Sequence, residues 1–519
     1  MTKKTNSDNK KEKKNSKFKI IVGLIISILI ILILIVFIFK IFDKNDSYKD
    51  KATYSTSFFI KNNKGKYALY NDSGKKLSDF VYDSVNSFIN GSSLVYKEKE
   101  GYAIINEKGK EIISYGDYNY ISSYSGLYKV RSDKGYKLLN SDGKVILEAE
   151  EIDVSSYGDE YPFNIVTAKN EVKVISYDGK TITTFKQNSS AKSPTVNHIN
   201  EYATVFYDGK NVIFNSKTKK VITTFKNKNH YCVNTVSEDG KIIALNACST
   251  WYETLSETGH ILSVKGKITD LSNKCNSLTV YTDVVVCSST NGEYFVNISG
   301  KKATIGDKIS SRIAFIDEEN YVTRDDKTYK FNFYKNGKKI KTMDASISST
   351  GKVENEMYVL YVDNGYEYYN KEGKKAIKEN FKYASLFDKN ELARVSKDGS
   401  TYYLINENGK KISDKYYSIS YYDDYYLVSN KKGLKGIIDK NGKEIIPTKY
   451  TSINIKKLRD KYYGIVSINN EKYAIYDLKT KSLLKESKHI LTINEHYIKV
   501  STEKKTSYYT YKDKLIFKE

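Results

Sequence analysis

From residue 56 to the C-terminus the chain repeats one arrangement of apolar and polar positions. A short alternating apolar run meets a polar turn ending in glycine, and a second short run follows. The stretch YAIINEKGKEI from Tyr102, YKLLNSDGKVI from Tyr136 and KGIIDKNGKEII from Lys435 are clear examples. Alternation with a period of two predicts strands, each half-buried on one face. An Asn or Asp three places before the Gly predicts a type I turn. Its side chain caps the turn, and the Gly supplies the left-handed conformation that closes the hairpin with a bulge. Aligned on the turn, ten copies carry the glycine: Gly74, Gly109, Gly143, Gly179, Gly259, Gly300, Gly337, Gly373, Gly409 and Gly442. Thr218 and Thr480 hold the same place in two more copies, and a degenerate copy, YYTYKDKLIF from Tyr508, ends the chain.

Successive turn positions lie 33 to 41 residues apart, a period belonging to solenoids, propellers and arrays. The residues between hairpins have room for one or two further strands, such as Leu94–Lys97 or Tyr118–Ser122. The unit is therefore expected to be three or four antiparallel strands without helix. Such units cannot bury their faces alone and must stack. The expected fold is an all-β repeat protein, propeller-like, with two rings of six and seven units; an open β-array is the alternative. The units lengthen before residue 300 and shorten after it, which places domains at 56–300 and 301–519.

One segment breaks the pattern. Ile20 to Phe39 is twenty residues without a charge, long enough as a helix to cross the bilayer core. Eight lysines precede it, and the basic side is expected to stay in the cytoplasm. The run exceeds a signal-peptide core and lacks a small-residue cleavage site. Residues 1–19 thus read as a cytoplasmic tail, 20–42 as a single-pass membrane anchor and 43–55 as a linker, with the repeats outside the cell.

The segment from Gly433 to Ile453 resembles the WG-repeat family. Gly436, Ile438, Asp439, Gly442, Lys443, Ile446, Pro447 and Tyr450 stand on that family's pattern. The signature Trp-Gly is Lys435-Gly436 here and Tyr-Ala at residues 67–68, 102–103 and 473–474. Tyr67, Tyr102, Tyr136, Tyr252, Tyr366, Tyr402 and Tyr473 occupy the tryptophan position in seven copies. The resemblance implies a repeat architecture, here in a bacterial, membrane-anchored member, and no particular activity.

Composition narrows the function. The net charge is +23. Residues 1–43 hold nine Lys and three acids, which leaves 76 − 59 = +17 on the rest. A positive outer part is drawn to anionic lipid headgroups or acidic wall polymers. Its lysines alternate with acids and form no stripe, so nucleic acid is not an expected partner. Nucleotide-binding, metalloprotease and serine-hydrolase motifs are absent from the sequence, and no cofactor or metal is expected.

Four cysteines are the remaining chemistry. Cys232 and Cys248 are equidistant from Gly240 in a predicted hairpin turn, and Cys275 and Cys287 flank a strand–turn–strand near Tyr281. This predicts Cys232–Cys248 and Cys275–Cys287 disulfides, with buried free thiols as the alternative; no C-x2–4-C pair suggests zinc. The cluster Tyr421, Tyr422, Asp423, Asp424, Tyr425 and Tyr426 is the candidate ligand-binding surface. Aromatic faces beside carboxylates suit a sugar or a cation, and packing between units is the competing explanation. The functional expectation is a binding or scaffolding module at the cell surface, for a wall polymer or a protein. An envelope glycan hydrolase using loop carboxylates is the alternative.

Overall fold

The computed structural model describes residues 55–156, 163–248, 260–282, 284–308, 314–325, 327–347, 351–353 and 355–519. The expected tail, anchor and most of the linker, with Tyr252 and Gly259, lie outside the described residues. Among the described residues every regular element is a β-strand, and no helix is long and apolar enough to cross a membrane.

The strands of the described residues form thirteen small sheets, nine of them four-stranded with their strands in chain order. Numbered along the chain, sheets 1 to 7 occupy residues 57–71, 84–113, 121–149, 153–186, 195–226, 231–270 and 277–308. Sheets 8 to 13 occupy 314–343, 346–370, 383–406, 418–450, 452–487 and 490–518. Pairing is antiparallel except where Gly351–Lys352, from within the span of sheet 9, joins sheet 8 beside Ala314–Phe315 in parallel.

In the four-stranded sheets other than sheet 6, the repeated hairpin is the third and fourth strand. In sheet 11, Lys435–Asp439 pairs with Glu444–Tyr450 around the turn at Gly442. The Asp439 carboxylate accepts hydrogen bonds from the N–H groups of Asn441 and Lys443, each at 3.0 Å. Gly442 donates its N–H to the Asp439 carbonyl with φ of 74°. The turns at Gly74, Gly109, Gly143, Gly179, Gly373 and Gly409 share this 4→1 bond, capped by Asn71, Asn106, Asn140, Ser176, Asn370 and Asn406. Gly300 and Gly337 differ. Each sits in a two-residue hairpin, between Ser299 and Lys302 and between Lys335 and Lys338.

Each sheet packs a face on the next. Leu69 and Val95 join sheets 1 and 2, Leu94 and Tyr128 join 2 and 3, and so on along the chain. The last cluster closes the circuit: Phe58, Ile60, Ala68 and Tyr70 of sheet 1 are buried against Tyr497, Tyr508, Ile516 and Phe517 of sheet 13. The result is a single propeller-like ring, and residues 53–519 form one compact unit. The expected division into two rings is therefore not observed. Gly300 lies inside the hairpin joining Gly292–Ser299 to Lys302–Lys308 of sheet 7, so no boundary falls there. Closure also excludes the open array: an end face left to solvent would expose the aromatic cluster that the seam buries.

Candidate functional site

Two constructed sites stand out, one at the tyrosine cluster and one at the seam. The tyrosine cluster is the hairpin Ser418–Tyr422 to Tyr425–Ser429 of sheet 11. Tyr425 and Tyr426 are buried on opposite faces of the sheet, against sheets 12 and 10, whereas Tyr421 and Tyr422 are 43% and 46% exposed. Asp423 sits at the tip with φ of 54°, where its carboxylate pairs with Lys389 at 2.5 Å. The packing explanation thus holds for Tyr425 and Tyr426, whereas Tyr421 and Tyr422 remain on the surface. Tyr425 packs edge-on against Tyr462 in the next sheet, while Tyr421 stays available on the surface.

Between sheets 10 and 11 lies a groove of about 410 Å³ lined by residues that include Asp388, Arg394, Ser420, Tyr421 and Tyr426. Buried Tyr426 donates its hydroxyl to the Asp388 carboxylate at 2.6 Å. Burial and that carboxylate together push the phenol well above its ordinary range. Asn390 donates to the Asp423 carbonyl at 2.6 Å, so the sheet 10 loop holds the tyrosine hairpin in place. The Arg394 guanidinium lies over the rings of Tyr383 and Tyr402, 4.9 and 5.5 Å from their centroids. It donates to the Ile419 carbonyl and the Tyr383 hydroxyl, but its buried Nε has no partner among the described residues. An aromatic face, a held guanidinium with a spare donor and a fixed carboxylate suit a hydroxyl-rich or anionic ligand.

At the seam, Asp72 of the first hairpin turn accepts from His496 at 2.7 Å and from Arg459 at 3.1 Å. Arg459 also donates to the Ser55 carbonyl at 2.6 Å, and the His496 ring stacks on Phe58 at 5.1 Å. Burial raises the Asp72 carboxyl, but the hydrogen bonds from His496 and Arg459 outweigh it and leave it below the ordinary value. None of these three residues carried a motif. Arg459 and His496 lie 387 and 424 residues from Asp72 in sequence and meet it only because the ring closes.

The disulfides are Cys232–Cys248 and Cys275–Cys287, with Cα separations of 5.3 and 5.4 Å. Neither joins residues directly opposite in register. Cys232 faces Asn246, because a bulge between Val233 and Thr235 shifts the pairing, and Cys287 faces Leu278. His230 lies within 4.8 Å of the first pair of sulfurs. Both sulfurs are committed to each other, and the imidazole bonds instead with Thr195 and Thr204 at 3.1 and 3.2 Å.

Among the described tyrosines at the tryptophan position, Tyr67, Tyr136, Tyr366, Tyr402 and Tyr473 are half-buried and Tyr102 is more exposed. Tyr67, Tyr366 and Tyr402 bridge across to Tyr82, Phe381 and Tyr416, and Lys435 bridges to Tyr450. That pairing relates the first and last aromatic positions of the repeat. The model for the WG containing repeat matches residues 368–400 and 436–457. Both stretches are similar to that repeat. Their glycine position has a steric cause in this chain: a Cβ on Gly436 would meet Thr448 Oγ1 at 2.5 Å and the Ile446 carbonyl oxygen at 2.8 Å. The groove at Arg394 and Tyr421 lies between the sheets that carry the two WG matches.

No curated protein matches the chain in sequence. Among solved structures, the crystal structure of the computationally designed Ika8 protein is 9% identical. That match covers 73% of this chain and 91% of the other, with a TM-score of 0.17. The crystal structure of the eukaryotic initiation factor is 10% identical over 76% and 96%, with a TM-score of 0.25. The fold assignment rests on the chain's own sheet topology.

Sequence reasoning missed a second aromatic series. Tyr128, Tyr358, Tyr426 and Tyr463 are fully buried on second strands. Their signal was present as a tyrosine two or three residues after a polar turn, in GLYKV, NEMYVL, DDYYLV and RDKYYGIV.

Proposed function

We propose that this propeller-like repeat protein is a binding module tethered to the bacterial cytoplasmic membrane by residues 20–42. Residues 1–19 are cytoplasmic in this reading, and the ring faces outwards. Its ligand is an anionic wall polymer, taken up in the groove between sheets 10 and 11, and it acts by binding without catalysis. The observation that carries the reading is the Arg394 guanidinium, clamped over two tyrosine rings with a buried donor unused beside exposed Tyr421. The excess of +17 outside residues 1–43 supports attraction to such a polymer over distance.

The test is co-sedimentation of the full chain, in mild non-ionic detergent, with isolated cell wall. Binding that weakens with salt is expected, and Tyr421→Ala or Arg394→Gln is expected to lower affinity roughly tenfold. Release of soluble wall fragments would contradict the reading and point to glycan hydrolysis. Protease added to intact cells is expected to remove the repeats, and full protection would overturn the topology.

A further inference from the structure

The seam between sheets 1 and 13 encloses more than its latch. A cavity of about 470 Å³ opens there, and Asp72, Arg459, Lys461, Glu495, Lys512 and Lys514 supply its charges. Four cations thus face two carboxylates, and Asp72 is already engaged by Arg459 and His496. The ammonium groups of Lys461, Lys512 and Lys514 have no ion-pair partner among the described residues. Neighbouring Lys485, by contrast, pairs with Asp513 at 2.6 Å. Thr510 and Ser73 line the same cavity and add hydroxyl groups.

We propose that the seam cavity is a phosphate-binding site whose ligand bridges the first and last sheets. The charge count favours phosphate over a carboxylate. A single carboxylate brings one negative charge, whereas a phosphomonoester brings nearly two and three acceptor oxygens. Lysine ammonium groups and an arginine fork are the usual partners of such oxygens. Cations gathered at a closure surface repel one another, so an anion held among them favours the closed ring. Ligand binding and closure are therefore linked: whatever binds only the closed form stabilises it by mass action. The site is separate from the Tyr421 groove and goes beyond the wall-binding reading.

The experiment is thermal unfolding of the full chain in non-ionic detergent, with sodium pyrophosphate compared against sodium chloride at equal ionic strength. Pyrophosphate is expected to raise Tm with saturation, beyond any change in chloride. The Lys512→Gln/Lys514→Gln variant is expected to have a higher Tm in chloride, because it relieves the repulsion, but to need roughly tenfold more pyrophosphate for the same rise. An equal pyrophosphate rise in the variant, or none in the wild-type chain, overturns the proposal. Competition separates the sources of phosphate. Vesicles of phosphatidic acid, a phosphomonoester lipid, that abolish the pyrophosphate effect, where phosphatidylcholine does not, identify a lipid headgroup. Vesicles without effect, with the rise retained, identify a soluble or polymeric phosphate. Tyr421→Ala leaves the pyrophosphate rise intact, so failure of wall binding and failure of this site are told apart.

Discussion

Gly442 and Gly433 have nearly the same backbone conformation, with φ of 74° and 76°, but different surroundings. A Cβ on Gly442 would strike the carbonyl oxygen of Ile412 in the preceding sheet, whereas a Cβ on Gly433 meets nothing. Gly433→Ala is expected to cost about 1 kcal/mol from the left-handed conformation alone. Gly442→Ala should cost about 2 kcal/mol more through the clash, read as the difference in urea midpoints. His230 gives a second test at this scale. Burial pushes its imidazole down to about 4, while the unfolded chain titrates near ~6.5. Between those values the unfolded state binds the proton and the folded state does not. Stability is therefore full above about 6.5 and lost as pH falls towards about 4. His230→Gln is expected to flatten that part of the urea-midpoint profile; an unchanged slope would refute the assignment. Turn residues were the most legible part of the sequence because their chemistry is local, as Asp439 and Gly442 show. Tyr426 was not legible as a buried anchor, because its partner Asp388 comes from another sheet.

At the scale of the element, the third–fourth strand hairpin was predictable and the sheet edges were not. In sheets 1, 9 and 10 the fourth strand is reduced to isolated bridges, such as Tyr67 to Tyr82 and Tyr70 to Lys76. Serine side chains take over part of the pairing there. Ser78 and Ser413 accept from the N–H groups of Leu69 and Leu404, both at 2.9 Å. The exchange of Gly351–Lys352 into sheet 8 also carried no sequence signal, since a two-residue strand has no periodicity to read. The cysteines were legible as local pairs, although bulge and loop geometry make both links diagonal. Cys275 and Cys287 are 12 residues apart. Replacing both by alanine is expected to lower stability by about 2–3 kcal/mol through the restored freedom of the unfolded loop. Denaturation with and without reductant checks this, since reductant should have no further effect on this link in the variant.

For the whole molecule, the number of rings was the feature that local pattern did not reveal. Each sheet presents similar apolar faces to both neighbours, so sequence alone does not mark which sheet meets which at the end of the circuit. The groove was half legible: Tyr421 and Asp423 belong to one visible cluster, but Asp388 and Arg394 reach it from the preceding sheet. Closure gives sheet 1 a buried face, which an array end would lack. Phe58 is only 6% exposed and packs against His496 and Tyr497. Phe58→Ala is expected to cost about 3–5 kcal/mol in unfolding, the range of a core aromatic deletion; a cost near zero would mean that this face is free. The most direct measurement is lysine cross-linking of the full chain in detergent, read by mass spectrometry. Lys76 lies over the Phe80 ring, and Phe80 packs on Phe517. A single closed ring predicts links from Lys76 to Lys514 or Lys518. Links from Lys76 to Lys274, Lys301 or Lys302, without any to the C-terminal sheet, would contradict it.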